Sequence, residues 1–175
     1  MTRPAPRLTL VLGGARSGKS RHAEGLVQAH PAPWLYVATA QAFDDEMGER
    51  IALHRSRRPE GWITRDAPLD LAAAIREAEP GRAVLVDCLT LWLTNVMLAE
   101  RDVAADIADL EAACAGAPGP LVLVSNEVGL GIVPDNALAR RFRDQAGLLH
   151  QRLATRADRV VLAVAGFPLI VKGQP

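Results

Sequence analysis

LTLVLGGARSGKSRHAE, residues 8–24, decides the fold: a strand-length apolar run, then Gly13-x-x-x-x-Gly18-Lys19-Ser20, then a helix-compatible stretch. Glycines let the backbone turn its N–H groups inward around phosphate oxygens, and the N-terminus of the following helix adds partial positive charge. Gly13, Gly14, Ala15, Arg16, Ser17, Gly18, Lys19 and Ser20 are therefore the expected nucleotide-binding loop. Lys19 is expected to act catalytically by reaching the β- and γ-phosphates, and Ser20 to ligate Mg²⁺. A strand before and a helix after distinguish this pattern from a chance glycine-rich turn. The loop says that phosphates are held, not what they are for.

Working outward, apolar strand-length runs recur at 8–13, 34–39, 83–87, 121–126 and 159–166, with helix-compatible stretches at 19–30, 44–58, 69–79, 102–115 and 136–156. Near-continuous hydrophobicity suits central parallel strands covered on both faces. The alternation predicts an α/β fold of the P-loop NTPase, RecA-like kind, a mostly parallel sheet flanked by helices. The closing RVVLAVAGFPLIVKG breaks at Gly166–Pro168 and predicts an antiparallel strand or hairpin at the sheet edge.

The 175 residues are expected to form a single nucleotide-binding domain over 1–175, with no internal repeat or linker. With 20 basic against 20 acidic side chains, bulk charge argues against a nucleic-acid partner. No apolar run reaches the ~20 residues of a membrane span, and the N-terminus reads as a buried strand without signal-peptide features. Cys88 and Cys114 stand far from any CxxC spacing and read as reduced, buried thiols of a cytoplasmic protein.

A phosphate loop needs a carboxylate at the end of a neighbouring strand for Mg²⁺. Asp87, which closes AVLVD, is the candidate; a capping role at the LTLWLTN helix that follows stands beside it. Asn126 and Glu127 end LVLVSN at another carboxyl edge. Glu127 suits orienting or deprotonating a substrate hydroxyl, or stabilising the loop. Arg140, Arg141 and Arg143 lie on a helix and read as a solvated face or subunit contact.

The polar segment after WLYVAT holds Glu46, Arg50 and His54 at helical spacing, followed by Arg55, Ser56, Arg57 and Arg58. Loops at the carboxyl ends of strands are where such sheets bind ligands. The spacing admits two readings: a solvated helix face with a surface histidine, or His54 as a nucleophile at a nucleotide phosphate, its neutral imidazole able to form a phosphoramidate. His22, His30 and His150 sit in contexts that favour structural roles.

GGARSGKSRHAE, VATAQAFDDEMGERIALHRSRRPEGW, VLVDCLTLWLTNVM, LVLVSNEVGLGIVPDNALARRFRDQAGLLHQRLA and VAGFPLIVKG, in that order, resemble the bifunctional adenosylcobinamide kinase/adenosylcobinamide-phosphate guanylyltransferases. The resemblance spans nearly the whole chain. It implies cobalamin biosynthesis: γ-phosphoryl transfer from ATP or GTP to the aminopropanol hydroxyl of a corrinoid substrate, then GMP transfer from GTP through a GMP-histidine intermediate, at His54. Where some relatives carry two consecutive histidines, this sequence has Leu53 and then His54. The resemblance also implies guanine-nucleotide contacts at Ala38, Thr39, Ala40, the Arg55–Arg58 run, Asp66 and Asp87, and a homotrimer. Asp66 and Asp87 stand where some relatives have glutamate. A P-loop kinase of another small metabolite, or a RecA-like assembly ATPase, are the competing readings.

Overall fold

A computed structural model describes residues 6–41 and 59–174. At its centre β1 (Leu8–Gly13) runs parallel between β5 (Leu121–Asn126) and β6 (Arg159–Val164). Beyond β5 lie β4 (Val84–Asp87), β2 (Trp34–Ala38) and β3 (Trp62–Asp66); beyond β6 lies β7 (Phe167–Lys172). The order is β3-β2-β4-β5-β1-β6-β7, with only the β6–β7 pair antiparallel. This is the expected mostly parallel sheet with an antiparallel edge.

Alternate residues of each central strand feed two cores, as the two-residue side-chain period requires. Leu10, Leu35, Val37, Val86 and Leu123 join the larger one. It is closed by α2 (Leu71–Arg76), α3 (Leu89–Leu98), α4 (Val103–Ala115) and α5 (Ala137–Arg156). Val11, Tyr36, Leu85, Val122 and Val124 turn to the other side, where α1 (Lys19–Gln28) contributes Ala23 and Val27. Those two residues are four apart and therefore share a helix face. Two N-caps are built by side chains: Asp102 accepts from the amides of Ala104 and Ala105 at 3.0 and 3.1 Å, and Asn136 accepts from Ala139 at 3.1 Å.

Several expectations are corrected. WITRD forms edge strand β3, in register with β2 from Trp34↔Trp62 to Ala38↔Asp66. Its exposed, polar character hides it from a hydrophobicity reading; aromatic packing supports it, with Trp62 centred 5.4 Å from Trp34 and 6.0 Å from Tyr36. The hairpin turn is Ala165–Gly166, both at positive φ, so Phe167 and Pro168 belong to β7, where an edge strand tolerates proline. The helices expected at 19–30 and 69–79 are shorter than that. Cys88, with no side-chain cap, is the N-cap of α3, so the capping role for Asp87 is not realised. The helix expected over 44–58 lies outside the described residues.

His150, buried on α5, shares a 2.7 Å hydrogen bond with Ser125 Oγ beneath the end of β5. Burial pushes its pKa down, with Glu127 opposing; burial and then Arg159 push His22 down as well. Below the ordinary value of 6.5 the unfolded chain binds protons at these positions that the folded chain refuses. Stability is therefore expected to fall as pH drops through that value. Urea midpoints between about pH 7 and 5 should fall less steeply in His150→Gln than in the parent; equal slopes would contradict the assignment.

Candidate functional site

The parallel register aligns the carboxyl ends of six strands on one edge. Asp66 pairs with Ala38 and Ala38 with Asp87; Asn126 pairs with Gly13 and Gly13 with Ala163. β5 separates the phosphate-loop strand from the Asp87 strand, which places Asn126 and Glu127 between them. Asp87 and Asn126 are half-buried, Asp66 is exposed, and Ala40 is partly exposed beyond β2. Thus the loop, Asp87, Asn126 and Glu127 share neighbouring strand ends, while Asp66 lies on the same edge four strands from the loop. His54, Arg55, Ser56, Arg57 and Arg58 lie outside the described residues.

Residues 13–20 form a tight loop opening directly into α1. Gly18 is its N-cap at φ 90°, and Arg16 also takes a positive φ of 54°. The Ser17 amide donates to the Gly14 carbonyl at 3.3 Å, and Lys19 Nζ donates to the same carbonyl at 3.1 Å, holding the ammonium against the loop. Gly14, Ala15 and Arg16 are exposed, whereas Ser17 is buried with its hydroxyl unpartnered among the described residues. A Cβ at Gly13 would lie 2.4 Å from that hydroxyl and 2.8 Å from the Ala163 carbonyl, so only glycine fits.

Two backbone bonds tether the loop to its neighbours: Gly166 N–H to the Ser17 carbonyl at 2.9 Å and Glu127 N–H to the Gly13 carbonyl at 3.0 Å. A cleft opens beside it, lined by Gly14–Ser17, Glu127 and the apolar Leu130, Leu162 and Val164. The Glu127 carboxylate accepts from the Gly129 amide at 2.5 Å. That contact fixes the loop and leaves its other oxygen for a ligand.

Beneath the edge lies a buried polar layer that sequence reasoning missed. Asn126 Nδ2 donates to Thr90 Oγ1 at 2.8 Å, and Thr90 Oγ1 is 3.2 Å from Cys88 Sγ. Thr39 is fully buried; its hydroxyl accepts from the Cys88 amide at 2.8 Å and donates to the Cys88 carbonyl at 2.7 Å. Expected as a nucleotide contact, Thr39 has its side chain committed to shaping the edge. Burial, then the charge of Asp87, pushes the Cys88 thiol pKa up, while hydrogen bonds from Thr90 and the Leu91 backbone oppose. The available signal was three polar residues, Thr90, Thr94 and Asn95, inside an otherwise apolar helix.

What the arrangement can do follows from its donors. Inward-facing loop amides, a helix N-terminus and a lysine can hold a phosphate chain, while Ser20 and Asp87 offer hard oxygens suited to Mg²⁺. No group of three or more His, Cys, Asp or Glu side chains among the described residues forms a metal cage. Mg²⁺ held largely by water and substrate phosphates needs none.

A family described as cobinamide kinase / cobinamide phosphate guanyltransferase matches residues 9–171. The bifunctional adenosylcobalamin biosynthesis protein CobP of Pseudomonas aeruginosa is 55% identical over 170 residues, covering 95% of this chain and 98% of the relative. The bifunctional adenosylcobalamin biosynthesis protein CobU of Salmonella typhimurium is 45% identical over 181 aligned positions, covering 94% and 99% respectively. Among solved structures, the RadB recombinase superposes with a TM-score of 0.54 at 18% identity, over 90% of this chain and 74% of that one. A type III secretion ATPase gives 0.53 at 11% identity, over 94% and 56%. These structural likenesses show a shared RecA-like P-loop fold.

Gly18 supplies the sharpest test of the loop geometry. Alanine there would meet strain at φ 90° and the Gly166 Cα at 3.1 Å. Gly18→Ala should lower stability by about 1–3 kcal/mol and weaken nucleoside-triphosphate binding at least ten-fold, by denaturation and calorimetry respectively. Gly147→Ala, on α5 with open space around it, should leave both unharmed.

Proposed function

The chain belongs to the cobinamide kinase/cobinamide phosphate guanyltransferase family, and from that premise we propose how the carboxyl edge of its sheet runs both reactions. It is a bifunctional enzyme of adenosylcobalamin biosynthesis. In the first step the aminopropanol hydroxyl of adenosylcobinamide attacks the γ-phosphorus of ATP or GTP, the nucleoside diphosphate leaves, and Glu127 accepts the hydroxyl proton. Support comes from the cleft that Glu127 shares with Gly14–Ser17, next to Lys19. Positioning and charge neutralisation are most of what phosphoryl transfer asks of a protein.

In the second step the imidazole of His54 attacks the α-phosphorus of GTP, forming a P–N bond as pyrophosphate departs. An oxygen of the new corrinoid phosphate then attacks that phosphorus and breaks the P–N bond, giving adenosyl-GDP-cobinamide. The phosphate loop that presents the γ-phosphate in the first step holds the leaving pyrophosphate in the second. Ala38, Ala40, Asp66, Asp87 and the Arg55–Arg58 run contact the guanine nucleotide, with Thr39 securing the edge from below. Arginine is suited to this because its fork pairs with phosphate oxygens. Mg²⁺, when bound, neutralises phosphate charge, and Ser20 and Asp87 are the side chains that would hold it.

We take the enzyme to be a cytoplasmic homotrimer. Both cysteines are free and buried, as a reducing compartment allows, and among the described residues no helix is long and apolar enough to cross a membrane. Leu130, Ile132 and Val133 are 86%, 97% and 62% exposed, apolar surface of the kind that subunit contact covers.

The observation that carries this reading is that the Gly13–Ser20 loop, Asn126 and Glu127 leave the same sheet edge as Asp87, which stands opposite Val124, two residues short of Asn126. GTP labelled at the α- or γ-phosphate tests it. α-Labelled GTP should leave an acid-labile, base-stable label on the protein that His54→Ala lacks, while His54→Ala keeps its kinase activity. Absence of any protein-bound label would sink the histidine intermediate and favour a simple kinase. Lys19→Ala should cut both steps by about 100-fold or more, and full activity in both would refute a shared phosphate loop.

A further inference from the structure

Asn95 is a buried amide in an apolar helix, only 5% exposed between Leu93 and Val96 on the covered side of α3. Burying an amide costs free energy unless its hydrogen bonds are made. They are made, but outside the helix. Nδ2 donates to the Thr39 carbonyl at 2.8 Å and to the Pro68 carbonyl at 2.9 Å. The first lies immediately after β2, the second two residues after β3.

The connection continues through Thr39, whose hydroxyl bridges the amide and carbonyl of Cys88 just past β4. Ala67 N–H closes onto the Ala38 carbonyl at 2.8 Å. Two side chains, Asn95 and Thr39, thereby fix the spacing of three adjacent strand ends beyond Ala38, Asp66 and Asp87, where the strand ladders stop. The phosphate loop is anchored separately, on the far side of β5, by Gly166 and Glu127.

We propose that Asn95 is a positioning residue for the guanine nucleotide, setting the separation of the 38–40 segment and Asp66 and so governing guanylyl transfer more than phosphoryl transfer. The inference rests on the reading of Ala38, Ala40 and Asp66 as guanine-nucleotide contacts. Asn95 touches no substrate. Its effect is transmitted through two backbone carbonyls whose positions decide where those contacts stand.

The test compares both half-reactions in the full-length enzyme, with ATP as phosphoryl donor and GTP as guanylyl donor, and thermal midpoints measured alongside. Asn95→Leu keeps the branching of the side chain and removes the donors. It should raise KM for GTP in guanylyl transfer roughly ten-fold, while KM for ATP in the kinase step stays within about two-fold. Asn95→Ser, which leaves room for a water to bridge the two carbonyls, should recover most of that loss. A purely structural asparagine would lower folded enzyme and depress both activities alike, leaving the two KM values unchanged; that result overturns the proposal.

If Asn95→Leu does not fold, the same selectivity is read from Asn95→Ala, which also removes the donors, and an unchanged ratio of the two KM values there overturns the proposal. Asp66→Asn separates the two levels of inference. Unimpaired guanylyl transfer in Asp66→Asn would remove the guanine-contact reading and this proposal with it. Impaired transfer in Asp66→Asn with an unchanged KM for GTP in the Asn95 variants would overturn the positioning role alone.

Discussion

The register in which β1 pairs with β5 and β6 is the constraint on which the site depends. It sets Gly13 level with Asn126 on one side and Ala163 on the other, so the phosphate loop leaves the sheet beside the polar end of β5. A one-residue slip would turn Leu10 and Val11 to each other's faces and expose both cores to the wrong partners. Since β1 is buried on both sides, that slip is strongly opposed. The chemistry inherits its alignment from hydrophobic packing several residues below it.

The edge carries a second constraint, the buried polar layer of Thr39, Cys88, Thr90, Asn95, Ser125 and His150. Such groups contribute little net stability compared with well-packed apolar side chains, and leaving one unsatisfied costs more than forming its bond gains. Their hydrogen bonds are directional, however, so they specify where strand ends stand in a way that leucine and valine cannot. Glycines complete the arrangement where no side chain has room. Gly13 lies over the Ser17 hydroxyl and Gly18 against Gly166, which draws the loop onto the β6–β7 hairpin.

Most of the architecture was legible because the central strands are short apolar runs covered on both faces, and the helices between them carry buried stripes. What escaped notice was marginal by the same measure. β3 has Trp62 and Ile63 followed by Thr64, Arg65 and Asp66, a pattern that reads as polar chain until Trp34 and Tyr36 are seen to pack on Trp62. The turn expected at Gly166–Pro168 begins earlier because Ala165 and Gly166 alone make the two-residue reversal, leaving Pro168 on an edge where its missing N–H is harmless.

At the site, the amino-acid order alone pointed to the Gly13–Ser20 loop, Asp87 and the Asn126–Glu127 pair, because glycine spacing and strand-terminal polar residues are local signals. The blocks around His54 carried the family resemblance in the same way. Which polar residues are buried under the edge, and what each holds, depended on tertiary contacts across tens of positions: Asn95 with Thr39, Asn126 with Thr90, His150 with Ser125. No periodicity encodes those partners. A hydrogen bond between distant segments exists only once the sheet register and helix packing bring its donor and acceptor together, and that is why the support of the site belongs to the fold.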